Sequence, residues 1–326
     1  MTDSTNAPMM GALPPPPGVT PNFVDPPSIQ GGLVAVLIVS ITVSTFCIMA
    51  RMAARLPNRF ANAGWDDYTS FVAWLSLIAY SALGFECNKY GIGIHMWNVP
   101  APDVVQLAKI VNIAQIIYSV PLYLTKLSIL IQYLRIFVVS LSGATFYTIQ
   151  GLIWLNLAYY IAITFALVFA CNPREKVWNP SVPGSCINQE DLFIITAVVN
   201  VITNILILVL PLNCLRKLQM PFQRKLGISL IFATGIFAVF TSIIWLVKII
   251  QYADSPDISY NAAVVGEWTN AELTAGIVIG CMPTFPQFYR QSIPKASAGL
   301  RGYWTRARTS LLTRRTLAAK GVMGEP

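Results

Sequence analysis

At 326 residues, 55% of them hydrophobic and only 11% charged, the chain departs from soluble domains, where about a quarter of residues are charged. Its formal net charge of +8 suggests nucleic acid only until the basic residues are located. They fall between alternate apolar runs, which makes them a topology signal and excludes a nucleic-acid surface.

Residues Met1 to Gln30 are rich in proline, Pro14 to Pro17 included, and hold no apolar run for a signal peptide. They are expected as a disordered external tail. Seven apolar runs follow, each close to the roughly 20 residues that a helix needs to cross a bilayer core. Gly32 to Ala50 and Tyr68 to Phe85 carry no charge, and Ile110 to Leu134 carries only Lys126. Phe146 to Ala170, Leu192 to Leu215, Leu226 to Val247 and Leu273 to Tyr289 carry none. In hydrocarbon every backbone N–H and C=O needs an internal partner, so these runs must be helices. The fold class is therefore an all-α membrane protein, a seven-transmembrane-helix bundle over 31–292 with a basic tail over 293–326.

Arg51, Arg55, Arg59, Arg135, Arg216, Lys217, Arg224, Lys225 and the basic residues from Arg290 to Lys320 share one side. The opposite loops hold Lys89, Arg174 and Lys176, with Lys109 and Lys248 at nearby helix ends. The positive-inside rule then places the N-terminus outside and the C-terminus in the cytoplasm. In the tail, Leu300, Tyr303, Trp304, Ala307, Leu311 and Leu312 recur at helical spacing among arginines. That fits an amphipathic helix on anionic lipid, and an unfolded basic tail fits equally. Membrane lipids are thus the expected partners, at the plasma membrane in preference to an internal one.

Cys47, Cys214 and Cys281 lie in or at the inner ends of helices and read as packing residues, while Cys87, Cys171 and Cys186 fall outside, where disulfides persist. Three outer cysteines allow three pairings. Cys171 and Cys186 bracket a single loop, which makes their bridge the expected one, worth roughly 3 kcal/mol in the chain-entropy account.

Several motifs occur in order. Gly64-Trp65-Asp66-Asp67-Tyr68 opens helix 2, and Tyr90-Gly91-Ile92-Gly93-Ile94-His95-Met96-Trp97 follows it. Thr125-Lys126-Leu127-Ser128 lies in helix 3, which ends Tyr133-Leu134-Arg135. Asn200 to Asn204 lead to Leu210-Pro211 and Leu218-Gln219-Met220-Pro221, and Cys281-Met282-Pro283-Thr284 closes the last span. With the loop cysteines, this set resembles the fungal rhodopsin-like integral membrane protein family from helix 1 to helix 7. The resemblance implies seven helices and a link to receptor-like proteins and to proteins encoded beside secondary-metabolite genes. It settles no activity.

Retinal needs a lysine amine in helix 7, and Leu273 to Tyr289 has none, so no covalent cofactor is expected. Lys126, nine residues before Arg135, sits about 13 Å from that helix end, near mid-membrane. Intramembrane charge defaults to a functional hypothesis. As a ligand site, Lys126 would converge with Asn200, Asn204 and Glu272, and Tyr118, Trp245 and Trp268 would complete an apolar pocket. In the plainer reading its ammonium is structural glue between helices. Asp66 and Asp67 read as helix caps in preference to a metal pair. Glu267 and Glu272 read as opening helix 7 on the outside, capping it or pairing with Lys248 first, and lining an external pocket second. His95, the only histidine, has too few neighbours for zinc, so no metal is expected.

No catalytic constellation is visible, and an enzyme is the less favoured class. A receptor-like protein sensing an unidentified small lipophilic ligand fits best, with a cytoplasmic signalling partner. Against G-protein coupling, no acidic residue precedes Arg135, and helix 7 lacks Asn-Pro-x-x-Tyr. The alternative is an accessory membrane protein, enzyme or carrier, of a secondary-metabolite pathway. A structural scaffold has nothing specific in its favour.

Overall fold

The computed structural model describes residues 11–55, 64–137, 143–179, 181–215, 222–253 and 255–285, with the backbone alone over 212–215 and 222–231. The basic C-terminal tail, Arg59, Arg216 and Lys217, and the side chains of Cys214, Arg224 and Lys225, lie outside it.

The described residues form seven long helices: α1 (Gln30–Arg55), α2 (Trp65–Lys89), α3 (Ala101–Phe137), α4 (Ala144–Val168), α5 (Gln189–Leu215), α6 (Phe222–Tyr252) and α7 (Ile258–Cys281). By length and composition, α1 to α6 each contain a segment able to cross a membrane. Large apolar side chains such as Phe46, Trp154, Phe165 and Phe240 point outward, as expected where the surrounding solvent is lipid. Helix α3 lies centrally, touching α2, α4, α5 and α7, while α1 and α6 flank α7. Pro121 lies inside α3 without ending it.

α7 corrects the sequence reading. The apolar run suggested Leu273 to Tyr289, whereas the helix starts at Ile258 and passes after Cys281 into a 3-10 turn, Met282–Thr284. Asn261, Glu267, Asn270 and Glu272 lower its hydropathy, yet Asn270 and Glu272 are buried in the bundle. The polar face points inward and the helix begins 15 residues earlier than hydropathy suggests. Glu267 and Glu272 therefore lie within α7 and do not open it.

One end of the bundle carries a two-residue ladder, β1 (Cys171–Asn172) against β2 (Ser185–Cys186). The expected disulfide joins Cys171 to Cys186, and Cys87 is free and buried. At the same end the loop after α2 meets the start of α7: the Gly93 amide donates to the Ser259 carbonyl, and the Ser259 hydroxyl to the Gly91 carbonyl. Gly91 and Gly93 hold φ of 84° and 79°, which side-chain-bearing residues rarely adopt. Residues 11–29, expected as a free tail, run across this loop. The Ala12 amide donates to the Met96 and Val99 carbonyls, and the Ile29 amide to the Gly93 carbonyl.

Candidate functional site

Lys126 is buried in the second half of α3, where an uncompensated ammonium would be costly. Its Nζ donates to Asn200 Oδ1 at 2.7 Å and to Thr203 Oγ1 at 2.6 Å, both on α5. The Tyr160 ring of α4 lies 5.7 Å from the same nitrogen. Asn200 Nδ2 donates to Glu272 Oε1 at 2.7 Å, and Asn204 Nδ2 donates to that oxygen at 2.8 Å. Lysine can only donate and carboxylate can only accept, so one orientation of the Asn200 amide serves both. All four residues singled out in the sequence converge, tying α3, α5 and α7 into one network. Thr203 was missed; its spacing of three from Asn200 on one helical face was the available signal.

Towards the disulfide end, a cavity of about 730 Å³ opens between the helices. Its walls are apolar, with Leu33, Leu37 and Ile163 among them, and Tyr118, Tyr160 and Trp245 also line it. Gln189, Glu190 and Ser255 contribute polar groups from the ends of helices on that side. The Tyr118 and Trp245 rings pack at a tilt, 5.9 Å between centroids. Trp268, expected in this pocket, is not among the residues that line it. Tyr160 thus touches both places, its ring facing Lys126 on one side and the cavity on the other.

The opposite end is held by charge. Arg51 Nη2 meets Asp66 Oδ2 at 2.6 Å, its Nε meets Asp67 Oδ1 at 2.8 Å, and its Nη1 donates to the Gly280 carbonyl. Arg135 Nη1 reaches Asp66 Oδ1 at 3.1 Å, and Arg55 lies 3.6 Å from both carboxylates. Asp67 does cap α2, accepting from the Gly64 amide at 3.1 Å. Capping is thus only part of its role. The pair also anchors α1, α3 and α7, which spacing along the chain could not show.

Lys248 donates to Gln251 at 3.1 Å, and Glu267 Oε1 lies against Gly32, so the expected pairing of Lys248 with these acids does not form. His95 Nδ1 bonds Asp257 Oδ2 at 2.5 Å, with its ring stacked between Trp97 and Tyr260 at 4.3 and 4.4 Å. Among the described residues no cluster of metal-ligating side chains occurs.

A model of the fungal rhodopsin domain matches residues 50–291, from the end of α1 through α7. The chain belongs to the fungal rhodopsin domain family. A SAT4 family membrane protein of Emericella nidulans is 38% identical over 78% of this chain and 62% of its own length. The Fugralins biosynthesis cluster protein 2 of Gibberella zeae is 27% identical over 86% of this chain and 71% of its own. The Satratoxin biosynthesis SC1 cluster protein 4 of Stachybotrys chartarum is 29% identical over 57% of this chain and 69% of its own. The chain therefore spans just under two thirds of the SAT4 family relative it matches. No solved structure matches.

The family name implies retinal, and the residues do not fit it. α7 as observed contains no lysine, and the Lys126 ammonium is held by Asn200 and Thr203.

Proposed function

We propose that this fungal rhodopsin family member is a receptor-like membrane protein that senses a small lipophilic molecule seated in the cavity above the Lys126–Asn200–Glu272 network. The cavity over a buried ionic network carries the reading: apolar walls with a few convergent polar groups are what ligand sites between helices present. Tyr160 gives the ligand a contact with Lys126. Glu272 and Gly280 lie eight residues apart on α7, about 12 Å along one rigid helix. A shift of Glu272 therefore bears on the carbonyl that Arg51 holds, and through Arg51 on Asp66, Asp67 and Arg135. The disulfide end faces outside, at the plasma membrane, and the arginine end faces a cytoplasmic partner.

The second reading is an accessory membrane protein of a secondary-metabolite pathway, favoured by the cluster names of two relatives. Deleting the gene in the fungus that carries it separates the two. Sensing requires altered transcript levels without build-up of an intermediate; the accessory role requires an accumulating intermediate with transcripts unchanged. The Lys126→Met/Glu272→Gln double variant removes both charges together, which a bundle tolerates far better than removing one. It is expected to insert and to melt near the wild type, yet to reproduce the deletion. Full rescue by this variant would show that the network serves only the fold.

A further inference from the structure

The polar atoms around the floor of the cavity select a chemical class. We propose that the cavity takes an uncharged, largely apolar molecule carrying a carbonyl or hydroxyl oxygen at its inner end, held by Trp245, Tyr160 and Tyr118. This rests on reading the cavity as a binding site and adds what it recognises.

Trp245 is 4% exposed and Tyr160 5%, both on the cavity wall. Neither the Trp245 Nε1 nor the Tyr160 Oη has a hydrogen-bond partner among the described residues, and the same holds for Tyr118 Oη. Buried indole N–H and phenol O–H groups ordinarily find partners, because leaving them unmade is costly. The indole can only donate, so what meets it must accept. A ligand oxygen does so, and the two phenols can add a second bond to it.

Charge decides the rest. The Lys126 ammonium and the Glu272 carboxylate already balance one another through Asn200. No lysine or arginine lines the cavity to meet an anionic ligand, and its one acidic lining residue, Glu190, is exposed at the start of α5, away from the buried Trp245 and Tyr160. Glu272 Oε2 also lacks a partner, and Tyr118 faces that carboxylate without reaching hydrogen-bond geometry. A ligand hydroxyl that accepts from Trp245 or a phenol could thus also donate towards the acid. The volume suits a compact polycyclic or aromatic body, pockets for such ligands running from about 300 to 1,000 Å³.

Three photoreactive probes test this on the full-length chain in lipid nanodiscs: benzophenone, which carries a neutral ketone; 4-benzoylbenzoate, its anion; and 3-trifluoromethyl-3-phenyldiazirine, which has no oxygen. After irradiation, labelled peptides are mapped by mass spectrometry. Saturable benzophenone labelling is expected on the α3, α4 and α6 peptides that hold Tyr118, Tyr160 and Trp245. The Trp245→Phe/Tyr160→Phe variant should need about tenfold more probe, the loss that one or two hydrogen bonds carry. The melting temperature of Tyr160→Phe alone should not fall, since its hydroxyl bonds nothing in the fold, and the diazirine labelling of the double variant should match the wild type. Unchanged benzophenone labelling of that variant, or equal labelling by 4-benzoylbenzoate, overturns the proposed class while leaving the cavity a binding site. A lower melting temperature for Tyr160→Phe alone also overturns it, because the hydroxyl would then serve the fold. Absence of saturable labelling at these peptides by all three probes overturns the cavity reading itself.

Discussion

Arg51 is 1% exposed and meets two carboxylates and a carbonyl on three sides, while Arg135, 40% exposed, meets the same carboxylates from the edge. Burial sets their consequences apart. Removing the buried partner leaves Asp66 and Asp67, shut off from solvent, to the outlying Arg55 and Arg135, a loss approaching the roughly 3–5 kcal/mol that breaking a buried pair costs. A screened, half-exposed arginine contributes about 1 kcal/mol or less. Arg51→Met should therefore lower thermal stability far more than Arg135→Met, measured by melting in nanodiscs. Equal losses would mean that Arg135 carries the clasp. This cluster was legible only in part. Asp66 and Asp67 read correctly as a helix start, but their arginines come from helices that meet them only after folding. Lys126, Asn200, Asn204 and Glu272 were legible as a set because charge and amide stand out in apolar runs, where each needs a partner.

At the scale of the element, α1, α2, α4, α5 and α6 could be bounded from hydropathy to within about five residues because their outward faces meet lipid, while α3 starts at Ala101, nine residues before its apolar run. α7 could not. Asn261, Glu267, Asn270 and Glu272 carry inward bonds or packing, so their polarity lowers the hydropathy of the helix and hides its start. What fixes α7 against α3 is a small residue. A Cβ at Gly276 would run into Thr125 Cγ2, and the Thr125 hydroxyl already donates to the Pro121 carbonyl at 2.5 Å. Thr125 therefore has little freedom to turn away, and close helix approach at glycine is how bundles pack without a hydrophobic drive between helices. Gly276→Val should force α7 from α3 at a cost of about 1–3 kcal/mol. It should also weaken the contact of Glu272 with Asn200. The melting temperature checks the first. A Gly276→Val protein that melts as the wild type does would place the α3–α7 contact elsewhere.

The whole molecule raises the question of how many times it crosses the membrane. Composition alone passes six helices, and a six-span chain would leave both termini on one side. The packing of α7 argues for a seventh crossing. At its start, Ser259 bonds the loop after α2 at the disulfide end; at its middle, Glu272 joins the network of Lys126; near its finish, the Gly280 carbonyl bonds Arg51 at the arginine end. One helix thus runs the full depth of the bundle beside α1 and α3, with its polar groups satisfied inside. Two independent features support the proposed orientation. A disulfide persists in an oxidising compartment, which agrees with the proposed outer or lumenal position of the Cys171–Cys186 loop. Arg51, Arg55 and Arg135 cluster at the other end, as the positive-inside rule requires of the cytoplasmic face. Cysteine introduced at Ser181, between the bridged residues, should react with a membrane-impermeant maleimide in intact cells. Cysteine introduced at Ala144, where α4 starts at the arginine end, should react only after permeabilisation. A tag after residue 326 should share the behaviour of the Ala144 site. If that tag instead reacts with Ser181 in intact cells, α7 does not cross, and the network of Glu272 with Lys126 would have to be rebuilt on a different topology.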